Sequence, residues 1–460
     1  MKAYCVDARP DRTFAVTPPG WPAVLALGSK LVPAWLVNPL LGGVGVFLLG
    51  LLVRRIRGAA AADLAVLLAA TSPWLLFLSA TYMTHAVSLV FFAAAWFGVE
   101  RTADLRRAAP ALLAGAALGG LFLVRPLDGL LGALALGVRA LGFGGARFRF
   151  LDLVAFAAGF LAVAGWILPY NAFYTGSPFA TPINDYIDRL WYPGANRLGF
   201  GADVGNPPKS WLALDPNPGH GLVDVLYNTN HNLYCLNVEA FGWPTGALVL
   251  FVLGSALRRR RLGDGERTAL LILGVLAGGY SCYWFSGGPD FGPRYWYLMM
   301  LPLVVLAAGA LQDVASGLVA VGVSREAARA GTAAALFLSA AFAVAVFAPW
   351  RVIAKYRDYR GWHADYARIA RDPTFAGKLV FVKTTGDGDD ADWLSARVQN
   401  SPFFDRLDLP EERARPLFVR DLGDESRDAL RRAFPERKPE FLHGRSITDG
   451  RVVRVPQETR

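Results

Sequence analysis

Between residues 33 and 349 the chain alternates long apolar runs with short polar turns. A spanning helix needs roughly 20 mainly apolar residues, with allowance for tilt and for interruption by Gly or Pro. Ten runs qualify: Pro33–Val53, Ala59–Leu78, His85–Val99, Ala109–Val124, Leu127–Phe143, Phe150–Tyr170, Gly242–Leu257, Thr268–Phe285, Trp296–Leu311 and Gly331–Pro349. Each is predicted to be a helix. Beyond Pro349 the pattern shortens to the alternation of an ordinary mixed domain, with strands predicted at Leu379–Lys383, Pro416–Arg420 and Arg451–Val455 and a helix at Arg427–Phe434.

The turns between the runs are of two kinds. One set carries nearly all the arginine: Arg54, Arg55 and Arg57; Arg101, Arg106 and Arg107; Arg139, Arg147 and Arg149; Arg258 to Arg261 with Arg267; and Arg325 with Arg329. Loops rich in Arg and Lys stay in the cytoplasm, so these mark the inner side. The outer side then receives Ser79–Thr84, Arg125–Pro126, the long loop 171–241, Ser286–Tyr295 and both chain ends. This places the segment before Pro33 outside with no helix ahead of it, and Met1–Thr17 has neither the basic start nor the apolar core of a signal peptide. Either the short N-terminus translocates unaided, or the chain begins downstream of a further spanning helix.

Composition agrees with a polytopic membrane protein. Of the 460 residues 54% are hydrophobic and 18% charged, where soluble domains carry about 25% charge. The net charge of +10 follows from arginines beside apolar spans, so topology accounts for it and a nucleic-acid partner is not implied. The three cysteines have no metal or redox spacing; Cys5 and Cys235 both fall outside, and whether they pair is open. Gly-rich phosphate loops, a Gly-x-Ser-x-Gly elbow and a His-Glu-x-x-His helix are all missing from the sequence, which removes the common soluble nucleotide-using and hydrolase classes.

Polar groups at the mouth of a helical bundle cost free energy unless they are solvated or paired, so the outer turns hold the candidate chemistry. In Gly287 to Tyr295 the glycines permit close backbone approach, and Arg294 offers a fork of fixed donors suited to phosphate, with Tyr295 beside it. Its bland reading is an interface anchor or an ion pair with Asp290. Arg125 and Asp128 stand within one helical turn; they either pair with each other or hold a lipid phosphate. Tyr82 and His85 crown the hairpin between the second and third spans, as substrate groups or as a cap and headgroup-level aromatic. The loop 171–241 adds Asp185, Asp188, Trp191, Tyr192, His220, Asn228, Asn230, His231 and Glu239, of types that stack on sugar rings and bond hydroxyls. His220 and His231 lack metal spacing, and no metal or cofactor is expected. Asp7 and Asp11 are the acids ahead of the first span, each either a base or a solvated loop carboxylate.

These outer segments resemble the GT-C glycosyltransferases, particularly the protein O-mannosyltransferase and aminoarabinose transferase branch. The resemblance rests on Thr17–Pro22 with its Pro-Pro element, on Leu67–Ser79 followed by Tyr82–His85, on Arg125–Pro126 and on Gly292–Tyr295, and covers much of residues 17–311. It implies a GT-C-like bundle, to which the runs give about ten spans over residues 1–350; the change of composition beyond Pro349 adds a small extracytoplasmic α/β domain over 351–460. The resemblance also implies a polyprenyl-phosphate-linked sugar as donor and a lipid, glycan or protein as acceptor, in a bacterial cytoplasmic (inner) membrane. In such enzymes a carboxylate base lies in the first outer loop, soon after the first span. Here the Pro-Pro element follows Met1 by only seventeen residues, so either Asp7 or Asp11 serves or the base lies upstream. Arg294 and Arg125 would stabilise the leaving phosphate, with Tyr82 and His85 orienting phosphate or sugar. Two rival readings use the same spans: a lipid-glycan flippase or transporter, for which Pro39 with Gly42, Gly43 and Gly45 would break the first span, and an inactive relative that binds lipid-linked sugar.

Overall fold

A computed structural model describes residues 6–8, 13–205, 219–258, 260–287, 291–357, 372–384, 416–444 and 452–454. They form two units, one of Val16–Ala348 and one of Met1–Ala15 with Pro349–Arg460.

The first unit is helical. Its elements are α1 (Gly20–Gly28), α2 (Ala34–Arg57), α3 (Ala59–Ala70), α4 (Pro73–Ser79), α5 (His85–Leu105), α6 (Ala108–Val124), α7 (Pro126–Ala140), α8 (Phe150–Ala164), α9 (Ile167–Thr175), α10 (Pro182–Leu190), α11 (Leu222–Glu239), α12 (Leu248–Leu257), α13 (Asp264–Ser281), a 3-10 stretch Arg294–Met299, α14 (Met300–Ala320) and α15 (Arg325–Phe342). All ten predicted runs contain helix. Among the described residues five helices are long and apolar enough to cross a membrane, or six if α3 and α4 count as one bent span.

The differences from the predicted runs have local causes. The run Ala59–Leu78 is two helices bent by 58°. Pro73 cannot donate to the preceding turn, and the Ser72 side chain accepts from the amide of Leu75 at 3.3 Å, so a new helix starts there. The run Gly242–Leu257 is helical only from Leu248, because Gly242 and Gly246 hold left-handed backbone (φ +62° and +75°) and the Asn237 side chain accepts from the Leu248 amide at 2.9 Å. Conversely, α2 runs unbroken through Pro39. The predicted loop 171–241 carries two helices of its own: Thr181 caps α10 ahead of Pro182, and the Asp224 carboxylate caps α11 through the Gly221 amide at 2.7 Å.

The core is centred on α14. In the continuous span Arg294–Ala320, 83% of the most apolar window is buried, so other helices surround it on nearly all sides. Between α6 and α8 the backbones touch: a Cβ on Gly115 would stand 1.9 Å from the carbonyl oxygen of Phe156, and one on Gly159 2.1 Å from that of Leu112. Small residues let helices approach this closely where lipid offers no hydrophobic drive to associate.

The second unit holds an antiparallel pair, β1 (Val6–Ala8) with β2 (Thr13–Ala15), and a four-stranded sheet in the order β4-β3-β5-β6. Here β3 is Leu379–Thr384, β4 Leu417–Arg420, β5 Pro439–Gly444 and β6 Val452–Arg454. β3 runs parallel to β4 and β5, while β6 is antiparallel to β5. A parallel return needs a crossover, and the helix Asp424–Ala433 lies between β4 and β5 in sequence. Leu379, Phe381 and Leu417 bury against Leu430, Phe434 and Phe441, each worth roughly 1.5–3 kcal/mol of burial. β5 and the β1–β2 pair go beyond the strands expected from sequence.

Candidate functional site

Pro126 organises the site from the sequence upward. It opens α7 at the first helical position and disfavours helical backbone at the residue before it, so Arg125 is extended (φ −144°, ψ 94°) between α6 and α7. Asp128 falls one turn into α7, on the same side as Arg125. Their side chains pair, Nε to Oδ2 at 3.0 Å, with Asp128 fully buried and Arg125 12% exposed. The Tyr280 hydroxyl, from the end of α13, donates to the other Asp128 oxygen. The guanidinium also donates to the Arg294 carbonyl at 3.4 Å and to the Tyr280 hydroxyl at 3.5 Å, and stands 5.3 Å over the Tyr295 ring. A charge so far from water survives because its donors and its counter-ion are supplied together.

This constellation forms one wall of a cavity of about 440 Å³, within the size range of ligand pockets. The remaining walls come from Val16–Pro18 and Trp21, Tyr170 and Asn171 on α9, Thr181–Asn184 at the start of α10, and Tyr283. They are mainly apolar, with a short amide and hydroxyl relay at one end. Tyr283 donates to the Asn196 carbonyl oxygen at 3.2 Å, as does the Trp284 indole at 3.1 Å, and the Asn196 amide donates to Asn184 at 2.8 Å. Chemically, an oriented guanidinium beside apolar walls suits an anionic head on an apolar body, and the amides suit hydroxyls.

The predicted residues separate into several groups. Arg125, Asp128 and Tyr295 line the cavity together. Arg294 does not line it: its fork turns onto the Gly287 carbonyl, Nε at 3.1 Å, where Gly287 takes left-handed backbone (φ +83°). Its backbone oxygen, rather than its charge, reaches Arg125. His85 is buried and does not line the cavity; it stands edge-on to Tyr297 at 5.3 Å, and its Nδ1 has no hydrogen-bond partner among the described residues. Tyr82 is 58% exposed, and its carbonyl accepts from the Trp21 indole at 2.7 Å. His231 lies on α11, 3.6 Å from Cys235, where burial holds its imidazole below the ordinary range. Asp7 is in β1, opposite Phe14; Asp11, Asp290 and Cys5 lie outside the described residues.

Tyr280, Tyr283, Asn184 and Asn196 escaped the sequence reading. Tyrosines at the end of an apolar run look like interface aromatics, and Tyr280 meets Asp128 across 152 positions of chain. Among the described residues no cluster of His, Cys, Asp and Glu is arranged to hold a metal ion.

No protein-family model and no curated protein matches the chain. Solved structures do. ArnT from Cupriavidus metallidurans bound to undecaprenyl phosphate aligns with a TM-score of 0.50 at 14% identity, covering 93% of this chain and 82% of that one. The apo form of that protein gives 0.49 with the same identity and coverage. An Archaeoglobus fulgidus oligosaccharyltransferase in complex with Zn and sulfate gives 0.44 at 16% identity, over 93% of this chain and 54% of that one. The first of these likenesses is one of fold: the chain shares the fold of ArnT.

Proposed function

We propose that this chain is an integral-membrane glycosyltransferase that moves a sugar from a polyprenyl-phosphate donor to a lipid, glycan or protein acceptor on the extracytoplasmic face. The observation that carries the reading is Arg125, a guanidinium locked by Asp128 and Tyr280 at the wall of a largely apolar cavity. ArnT, whose fold this chain shares, is described as bound to undecaprenyl phosphate. An isoprenoid phosphate has the two parts that the cavity complements, an apolar tail for its walls and an anionic head for Arg125.

In the proposed reaction an acceptor oxygen attacks the anomeric carbon and forms the new glycosidic bond. The bond from that carbon to the lipid phosphate breaks, and the phosphate leaves with the electron pair. A base takes the acceptor proton. Arg125 stabilises the charge that grows on the phosphate oxygens, where little water competes. Asp128 serves as the positioning partner of Arg125, since both its oxygens are already engaged.

The test is transfer by the purified full chain from a panel of polyprenyl-phosphate sugars. Arg125→Ala should lower turnover by about 10²–10³-fold, the usual cost of losing one transition-state donor. Arg125→Lys should recover little of it, because an ammonium cannot reproduce the fork. Wild-type turnover in Arg125→Ala would overturn the assignment.

A further inference from the structure

The opposite, arginine-rich turns hold a second built cavity, of about 830 Å³, among α2, α3, α14 and α15. Arg57, Arg260 and Arg329 line it beside Leu64, Leu311 and Ala315. Two nearly inaccessible carboxylates hold Arg57 and Arg260, Asp313 in the lining itself and Glu266 outside it. Glu266 pairs with Arg57 at 2.7 Å and with Arg260 at 2.6 Å. Asp313 pairs with Arg258 and with Arg260, both at 2.9 Å. Three arginines therefore share two carboxylates, and Arg329 on α15 adds a further cation to the same wall. Arg57 spends one terminal nitrogen on Gln312 at 2.6 Å, while its buried Nε has no hydrogen-bond partner among the described residues. A lining of three guanidiniums against the one carboxylate of Asp313 favours an anion with several acceptor oxygens.

We propose that this cavity binds the phosphate headgroup of an anionic membrane lipid. A phosphate matches the excess of guanidinium donors, and the leucine and alanine wall matches acyl chains rather than a free ion. Basic pockets between spanning helices suit such headgroups. The site uses no residue of the Arg125 cavity, so it stands whether or not the proposed transfer reaction is correct. The carboxylates fix Arg57 and Arg260 in place, and Arg329 is the lining arginine that, among the described residues, no carboxylate engages.

The experiment places the full chain in nanodiscs of phosphatidylcholine, with or without phosphatidylglycerol, and measures retained phosphatidylglycerol by native mass spectrometry. Wild type should retain it. Arg329→Gln, an exposed position on α15, should weaken retention by about fivefold, the effect of one basic residue near a lipid surface. Arg325→Gln, one turn away and outside the cavity, should leave it unchanged. Equal loss in both variants would mean surface charge alone, and no retention by wild type would mean no site; either overturns the proposal. A third arm adds inorganic phosphate in detergent. If it raises the melting temperature as much as phosphatidylglycerol does, the site takes free phosphate and the lipid assignment fails.

Discussion

Asp128→Asn isolates the central ion pair. The substitution keeps the side chain's shape and an acceptor for the Tyr280 hydroxyl, yet removes the counter-charge 3.0 Å from Arg125. What remains around the guanidinium is the Arg294 carbonyl at 3.4 Å, the Tyr280 hydroxyl at 3.5 Å and the Tyr295 ring. Breaking a buried pair by removing one partner costs about 3–5 kcal/mol, because a desolvated charge is left uncompensated. Arg125 is 12% exposed at a cavity wall, where water can reach it, so the lower end, about 3 kcal/mol, is expected. Adding Arg125→Met removes the stranded charge. The double variant should therefore be more stable than Asp128→Asn alone, with a coupling energy of about 2 kcal/mol. Thermal and denaturant unfolding of the purified full chain would measure both. Under the proposed function, a polyprenyl phosphate should also stabilise Asp128→Asn more than wild type, since its head replaces the lost carboxylate. Unfolding of Asp128→Asn identical to wild type, or two losses that simply add in the double variant, would refute the reasoning.

Two further outcomes follow from local chemistry. The Ser72 hydroxyl accepts from the Leu75 amide and donates to the Ala240 carbonyl at 2.5 Å; Ser72→Ala should cost about 1–2 kcal/mol, and Ser72→Thr should restore most of it in the same unfolding assay. The Asp203 carboxyl is held below the ordinary carboxylate range by a hydrogen bond from Arg197 at 2.5 Å. Its contribution is thus present above the unfolded value of about 3.9 and lost as pH falls through the lower folded value. Proteolysis within residues 197–205 should rise only below that range in wild type and at higher pH in Arg197→Ala, and superimposable profiles would count against the pair.

Helix positions were legible because an apolar run long enough to span a bilayer has few other ways to satisfy its backbone. The Ser72–Pro73 break was not, since a serine before a proline reads equally as a cap and as a tolerated interruption of a span. α11 was hidden by composition: Asn228, Asn230, His231 and Asn232 give it no apolar stripe, so polarity read as loop. At the site, the pairing of Arg125 with Asp128 could be read from three-residue spacing, whereas Tyr280 could not. That contact depends on how α13 packs beside α7, which no local pattern encodes. Arg294 shows the limit of charge as a guide. Its fork was expected at the mouth, but the nearby Gly287 carbonyl offered a nearer partner.

The hairpin after α4 is held through its main chain. Trp21 donates to the Tyr82 carbonyl, and the buried Asn38 amide donates to the carbonyls of Thr81 and Met83 at 2.5 and 2.7 Å. Residues 81–83 thus act as a buckle joining α1 and α2, and the buckle does not depend on the phenol that its centre displays. Tyr82 is free to change in descendants of this protein without loosening the fold, while Trp21 and Asn38, which look like unremarkable members of apolar helices, are not. Change at this exposed rim can proceed without touching the frame that holds the rim in place.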